Sequence, residues 1–256
     1  MKFFVCIKQV PDTETKIKVG ADQQIDPAGV KWVMNPYDEY AIEEAIKQRE
    51  KNPGSQVWVV TVGPKARTAE ALRTALAMGA DEGILIDAPA NLEPQITAKA
   101  LSLVIQQEGG AKVVFTGRLA IDDNASSVSQ MLAEFSNFPH TTVVSKFSMD
   151  SENVTVEREA EGGQCEVVQM ATPAVVAANK GLNMPRYASL PGIMKAKKKV
   201  LKEVSIDSLG FSLVAKTKTL ALELPAEKPP VKLMSGEISA QVSSLVQLLR
   251  DEAKVL

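Results

Sequence analysis

The chain has 256 residues, of which 45% are hydrophobic and 23% charged, enough for one large α/β domain with an extension or for two small domains, and unlike a disordered or fibrous chain. The net charge of −2 gives no electrostatic reason to expect nucleic acid or an anionic membrane as a partner. The two cysteines, Cys6 and Cys165, form no CxxC, which argues against a disulfide scaffold or a zinc site.

Phe3–Ile7 is a short continuous apolar run, as expected of a strand buried on both faces. Asn35-Pro36 reads as a helix start, and 37–50 follows with Tyr37, Ala41, Ala45 and Ile46 on one stripe. Val57–Val62 is a second strand closed by Gly63-Pro64, 67–78 a second helix with Gly79 as its cap, and Glu82–Ile86 a third strand. Then come a helix over 94–107, a strand over Lys112–Thr116 and a helix over Asn124–Glu134. Strands alternating with helices predict a mostly parallel sheet with right-handed crossovers, an α/β class. Thr141–Ser148, Val154–Arg158, Glu166–Met170 and Ala174–Ala177 are strand-like without intervening helices and read as hairpins extending one sheet edge.

After Gly181 the periodicity weakens, and 181–199 reads as a loop and a short helix. Residues 225–233 form an extended linker, and 237–254 an amphipathic helix with Ile238, Val242, Leu245, Leu248 and Leu249 on one face. Such a tail needs a surface, its own domain or another chain. The expected organisation is 1–200 as the α/β domain and 201–256 as a C-terminal arm. The opening apolar run is too short for a signal peptide, and no stretch reaches the ~20 apolar residues of a membrane span. The expected location is the cytoplasm, or the mitochondrial matrix if a presequence precedes the chain.

In a parallel sheet, ligands bind beyond the carboxyl ends of the strands. Those ends are Cys6-Ile7-Lys8, Thr61-Val62-Gly63 and Thr116-Gly117. Gly117 lets backbone approach a ligand, Asp123 or Asn124 can cap the following helix, and Ala125, Ser126 and Ser127 leave its first amides accessible. The loop is either a phosphate cradle or a capped helix with a small-residue first turn. There is no Walker lysine motif, and no GxGxxG follows the first strand. His140 lacks a nucleophile pattern and reads as structural, and Cys6 as an inert core thiol. In the segment Arg186-Tyr187-Ala188-Ser189-Leu190-Pro191, apolar side chains stand beside positive charge, which suits docking to an acidic-rimmed partner.

Several stretches resemble electron-transfer flavoprotein β subunits: Val5–Asp12, Met34–Tyr37, Ala75–Asp81, Gly117–Asp123, Val156–Gly163 with Thr172–Val176, and above all Leu182–Lys199. The resemblance spans nearly the whole chain. It implies a Rossmann-like, adenine-nucleotide-hydrolase-like fold and an electron carrier subunit, not an enzyme. It implies an obligate heterodimer with an α subunit that carries the redox-active FAD, and an arm that clasps that subunit. Matched by position, an AMP site would comprise Cys6, Asn35, Pro36, Tyr37, Asp38, Val62, Gly117, Arg118, Leu119, Ala120, Ile121, Asp122, Asp123, Asn124, Ala125, Ser126, Ser127 and Val128. A recognition loop over 183–199 would dock acyl-CoA and related dehydrogenases through Arg186, Tyr187, Ser189, Leu190, Pro191, Ile193, Met194 and Lys195. Electrons would leave for a membrane quinone oxidoreductase. Leu190 matches a leucine that inserts into a dehydrogenase pocket, and burying a leucine contributes about 1.5–3 kcal/mol. Glu159 matches a residue that tunes the mobile flavin domain, and Thr13 stands where some relatives place an aromatic side chain against the flavin. The rival readings are an electron-bifurcating subunit with a second FAD in place of AMP, and an adenine-nucleotide enzyme or sensor of the same fold.

Overall fold

The computed structural model describes residues 1–212 and 214–256. The strands are β1 (Lys2–Ile7), β2 (Gln9–Pro11), β3 (Trp32–Met34), β4 (Gln56–Gly63), β5 (Glu82–Asp87), β6 (Val113–Gly117), β7 (His140–Met149), β8 (Asn153–Glu159), β9 (Cys165–Ala171), β10 (Ala174–Ala178) and β11 (Lys202–Ser205). The helices are α1 (Pro36–Lys51), α2 (Lys65–Met78), α3 (Pro94–Gln107), α4 (Val128–Ser136), α5 (Leu190–Lys198) and α6 (Ile238–Asp251). By internal packing the chain forms two units, Met1–Ile17 with Asp26–Leu220, and Lys18–Ile25 with Ala221–Leu256.

The first unit is built on one sheet in the order β11-β5-β4-β1-β6-β10-β7-β8-β9. From β11 through β7 every pairing is parallel, and β8 and β9 add antiparallel at the far edge. Side chains alternate across β1, so one strand feeds two cores. Phe3, Val5 and Ile7 pack with Ile42 and Ile46 of α1 and Leu72 of α2. Phe4 and Cys6 pack on the opposite face with Leu101 and Ile105 of α3 and Leu132 of α4. The result is a three-layer α/β/α sandwich, as the alternation of strand and helix predicts.

Three elements differ from the sequence reading. Ala174–Ala178 is not part of the hairpin array: it lies between β6 and β7, parallel to both. All five of its residues are buried, which suits a central strand covered on both faces. Helix α4 starts at Val128, not Asn124, because Asn124 (φ 52°) and Ser126 (φ 48°) are left-handed and a right-handed helix cannot run through them. β11 joins the sheet at β5 within a stretch that had no clear periodicity, and the compact unit runs on to Leu220.

In the second unit, Val19 and Ile25 form an antiparallel bridge, and the Leu222 amide donates to the Gln23 carbonyl at 3.0 Å. Residues 225–233 have no regular structure. The expected tail helix is α6, with Ile238, Val242 and Leu245 exposed. Lys232 is ion-paired to Glu252 just beyond its end.

Candidate functional site

The site follows from the strand order. The chain goes from β1 through α1 to β4, on one side of β1, and later from β5 through α3 to β6, on the other side. The winding reverses between β1 and β6, and a crevice opens beyond the carboxyl ends of strands at such a point. A cleft of about 190 Å³ lies there, far larger than the about 10–15 Å³ that holds one water, so it has room for an organic ligand.

Asp38, on the first turn of α1, ties the cleft's floor together. Its Oδ2 accepts from the Lys8 amide at 2.7 Å, just past β1, and its Oδ1 accepts from the Gly117 amide at 3.1 Å, at the end of β6. Asn35 Nδ2 donates to Asp38 Oδ1 at 2.9 Å and to the Leu119 carbonyl at 2.8 Å, while Asn35 Oδ1 accepts from the Ile121 amide at 3.2 Å. Asp38 is buried, and burial pushes its carboxyl up to about 7 against the pull of the Lys8, Asn35 and Gly117 donors. Glycine is required at 117: a Cβ there would lie 2.3 Å from Asp38 Oδ1 and 2.8 Å from Tyr37 Cβ. Cys6 lines the cleft from β1, and burial, followed by the Asp38 charge, raises its thiol so far that it stays protonated and unreactive.

From Gly117 the chain arches over the cleft before entering α4. Ser126 Oγ donates to the Arg118 carbonyl at 2.8 Å, and Asp123 Oδ1 accepts from the Ala125 amide at 3.0 Å. Lys8 Nζ bridges Asp122 at 2.8 Å and Asp123 at 3.1 Å, fixing the arch to the end of β1. Asp123 and Asn124 therefore shape the arch and do not cap the helix. The N-cap is Ser127, and its side chain makes no cap bond. Ser127 Oγ and Thr116 Oγ1 are buried without a hydrogen-bond partner among the described residues, and both residues line the cleft. An unsatisfied buried hydroxyl costs about 1–3 kcal/mol, which a ligand could relieve. The first-turn amides of α4 have no partners within the helix and give its N-terminus a partial positive charge.

Of the residues singled out from the sequence, Cys6, Asn35, Asp38, Val62, Gly117, Arg118, Leu119, Ala120, Asp123, Ala125, Ser126, Ser127 and Val128 line the cleft. Pro36, Tyr37, Ile121, Asp122 and Asn124 do not. Pro36 opens α1, Tyr37 lies under the Arg118 guanidinium at 5.4 Å, and the other three hold the arch in shape. Sequence reasoning missed the outer wall: Pro89, Ala90 and Leu92 after β5, with Pro94, Thr97 and Leu101 along one face of α3. The signal was present, since β5 also ends at this edge of the sheet and 94, 97 and 101 keep helical spacing. His140 sits at the amino end of β7, in register with Val175, and does not line the cleft.

Residues 23–209 match the family model described as Electron transfer flavoprotein domain. The chain is 41% identical to the electron transfer flavoprotein subunit beta of Bacillus subtilis over the full length of both. It is 40% identical to that of Bradyrhizobium diazoefficiens, again over the full length of both, and 38% to that of Sus scrofa, covering 100% of this chain and 99% of the relative. The chain belongs to the electron transfer flavoprotein β-subunit family. Among the described residues no helix is long and apolar enough to cross a membrane, and no cluster of His, Cys, Asp or Glu could hold a metal ion.

A second feature of this family member is the segment 183–199. Tyr187 is 98% and Leu190 73% exposed, and Met184, Ile193 and Met194 are exposed beside them. Ser189 caps α5 by accepting from the Gly192 amide at 3.1 Å, and Pro191 occupies its first turn. Gly192 lets α5 close on α2, since a Cβ there would lie 2.4 Å from the Ala77 carbonyl oxygen. Arg73 of α2 donates to the carbonyls of Ala196, Lys197 and Lys199 at the other end of α5.

The Arg186 side chain is partly exposed, but its charge is matched by two carboxylates of α1. Its Nε and Nη2 grip both oxygens of buried Glu43 at 2.8 and 3.0 Å, and its Nη1 reaches Glu50 at 2.7 Å. These carboxylates hold its guanidinium well above its ordinary range. The outward charge comes from Lys195, Lys197 and Lys198, which are exposed and have no ion pair among the described residues.

Proposed function

We propose that this chain is the AMP-binding β subunit of a heterodimeric electron carrier whose FAD is held chiefly by the α subunit. The observation that carries the reading is the cleft at the winding reversal. It combines an apolar side formed by Val62, Leu92 and Leu101, suited to a purine, with two orphaned hydroxyls and a helix N-terminus, suited to a phosphate. Thr116, Ser127 and the first turn of α4 would take the phosphate. Gly117 and Asp38 would hold the floor beneath the nucleoside, and the 118–127 arch would cover it. AMP contributes no redox chemistry there. It supplies charge and surface that satisfy the arch, so its role is assembly and stability.

The relatives are named as β subunits, which supports an α-subunit partner here. The exposed stripe of α6 is the surface such a subunit would cover. The exposed side chains at 184–194, flanked by lysines, support docking of an acyl-CoA or related dehydrogenase through Leu190, with a quinone oxidoreductase as the later acceptor. The deciding experiment is mass spectrometry of the ligands released by acid from the purified heterodimer. The expected result is one AMP and one FAD per complex. Two FAD and no AMP would transfer the cleft to a second flavin and overturn the reading.

A further inference from the structure

The cleft's outer wall is braced by a part of the chain that does not line it. Glu93 stands between Leu92 and Pro94, two residues of that wall, at the N-cap of α3. Its carboxylate makes no cap bond to its own helix. It points outward and accepts from the Lys216 amide at 2.9 Å, from the Thr217 amide and hydroxyl, and from Gln95 Nε2 at 2.7 Å. These donors hold the Glu93 carboxyl down to about 2, the Thr217 hydroxyl first and the Lys216 amide next. Upstream, Leu209 and Phe211 pack into the core on the α3 face of the sheet. Residues 214–220 form a strap tied to Glu93 through Lys216 and Thr217, a few residues before the second unit begins at Ala221.

We propose that Glu93 is a positioning residue for the nucleotide cleft: its clasp on Lys216 and Thr217 holds the β5–α3 wall in its binding posture, so that ligand occupancy and seating of the strap are linked. The inference rests on the AMP reading above. Residues 88–93 have no regular structure, and Pro89 and Ala90 have no ladder partners to hold them over the cleft. One end of that loop is tied at Glu93, through its carbonyl to the Ile96 and Thr97 amides of α3 and through its carboxylate to Lys216 and Thr217. Linkage is reciprocal: if the clasp favours the ligand-ready wall, ligand favours the closed clasp.

The test is AMP titration of the purified heterodimer, stripped of nucleotide, with hydrogen exchange read at the amides of Lys216 and Thr217. In the wild type, AMP slows exchange at both amides. Glu93→Gln and Thr217→Val each weaken AMP binding, the former by about fivefold or more, the low end of typical site-to-site couplings. In Glu93→Gln the slowing by AMP is lost. Affinity is compared well below the melting temperature of each nucleotide-free variant, so that stability lost with the hydrogen bonds at Glu93 is separated from loss of positioning. Unchanged AMP affinity in Glu93→Gln, or exchange at 216–217 indifferent to AMP, overturns the linkage alone. A wild-type complex that binds no AMP overturns the nucleotide reading with it.

Discussion

At the scale of single residues, Asp38 sets the behaviour of the cleft. It is buried, yet it receives donors from β1, β6 and Asn35 at once, so its protonation state governs how firmly two strand ends are held together. A carboxyl raised from 3.8 to about 7 binds a proton in the folded state that the unfolded chain has already released. Its contribution to stability is therefore complete below the unfolded value, falls as pH rises between the two, and levels off above the folded one. Asp38→Asn should remove that component: melting temperature followed from pH 4 to 8 falls less steeply in the variant, after correction for groups common to both. An identical slope in the two proteins would mean that Asp38 stays ionised throughout. Gly117 reads in the sequence as letting backbone approach a ligand, whereas the structure gives glycine another reason, the Asp38 carboxylate and Tyr37 that a Cβ would strike. The unpaired hydroxyls of Thr116 and Ser127 were not legible in the sequence. A lost hydrogen bond is a property of three-dimensional neighbours, and a serine that satisfies itself looks the same in sequence as one that does not.

At the scale of elements, α1 joins the two functional regions. Its first turn carries Asp38 of the cleft floor, and further along it Glu43 and Glu50 hold Arg186, which fixes the segment leading to Leu190. Two substitutions separate anchoring from contact. Arg186→Ala leaves buried Glu43 with the backbone amide of residue 186 but without the guanidinium, and should cost about 1.5–3 kcal/mol, the range for hydrogen bonds to charged groups, read by chemical denaturation. Leu190→Ala removes an exposed side chain and should leave the denaturation midpoint unchanged while slowing electron transfer from an acyl-CoA dehydrogenase. If Leu190→Ala leaves transfer kinetics untouched, the docking assignment fails whatever Arg186→Ala does. The sequence made α1 and α2 legible because apolar spacing and Pro36 mark α1 and Gly79 marks the end of α2. It misplaced the start of α4 because Asp123 and Asn124 are good caps in isolation, whereas the arch turns left-handed at Asn124 and Ser126 to reach over the cleft. It placed β10 among hairpins because connection order suggested it, although the unbroken apolar run Ala174–Ala178 already had the pattern of a doubly buried strand.

At the scale of the whole molecule, the first unit buries its apolar residues on both faces of the sheet, while the second keeps Ile238, Val242 and Leu245 exposed on a helix of 14 residues. A helix of that length is marginal in water without a surface to cover its stripe. Amide exchange along 238–251 should therefore be fast in the isolated chain and slow by orders of magnitude in complex with an α subunit, with the central strands protected in both states. Equal protection of α6 in the two states would show that the arm needs no partner. The helix α6 was legible from the apolar stripe of 237–254. What covers it was not, because an apolar stripe says that a surface is needed and not which one.

The position of β10 also bears on synthesis. Its place between β6 and β7 is filled by residues that leave the ribosome after all of β7, β8 and β9. Until residue 178 emerges, β6 offers an open row of amides and carbonyls to whatever strand comes first, and the three-stranded edge has nothing to dock on. A ribosome stalled anywhere in the long excursion from Val128 to Thr172 would thus hold a half-sheet with a sticky margin, and this is the interval in which a chaperone has most to protect.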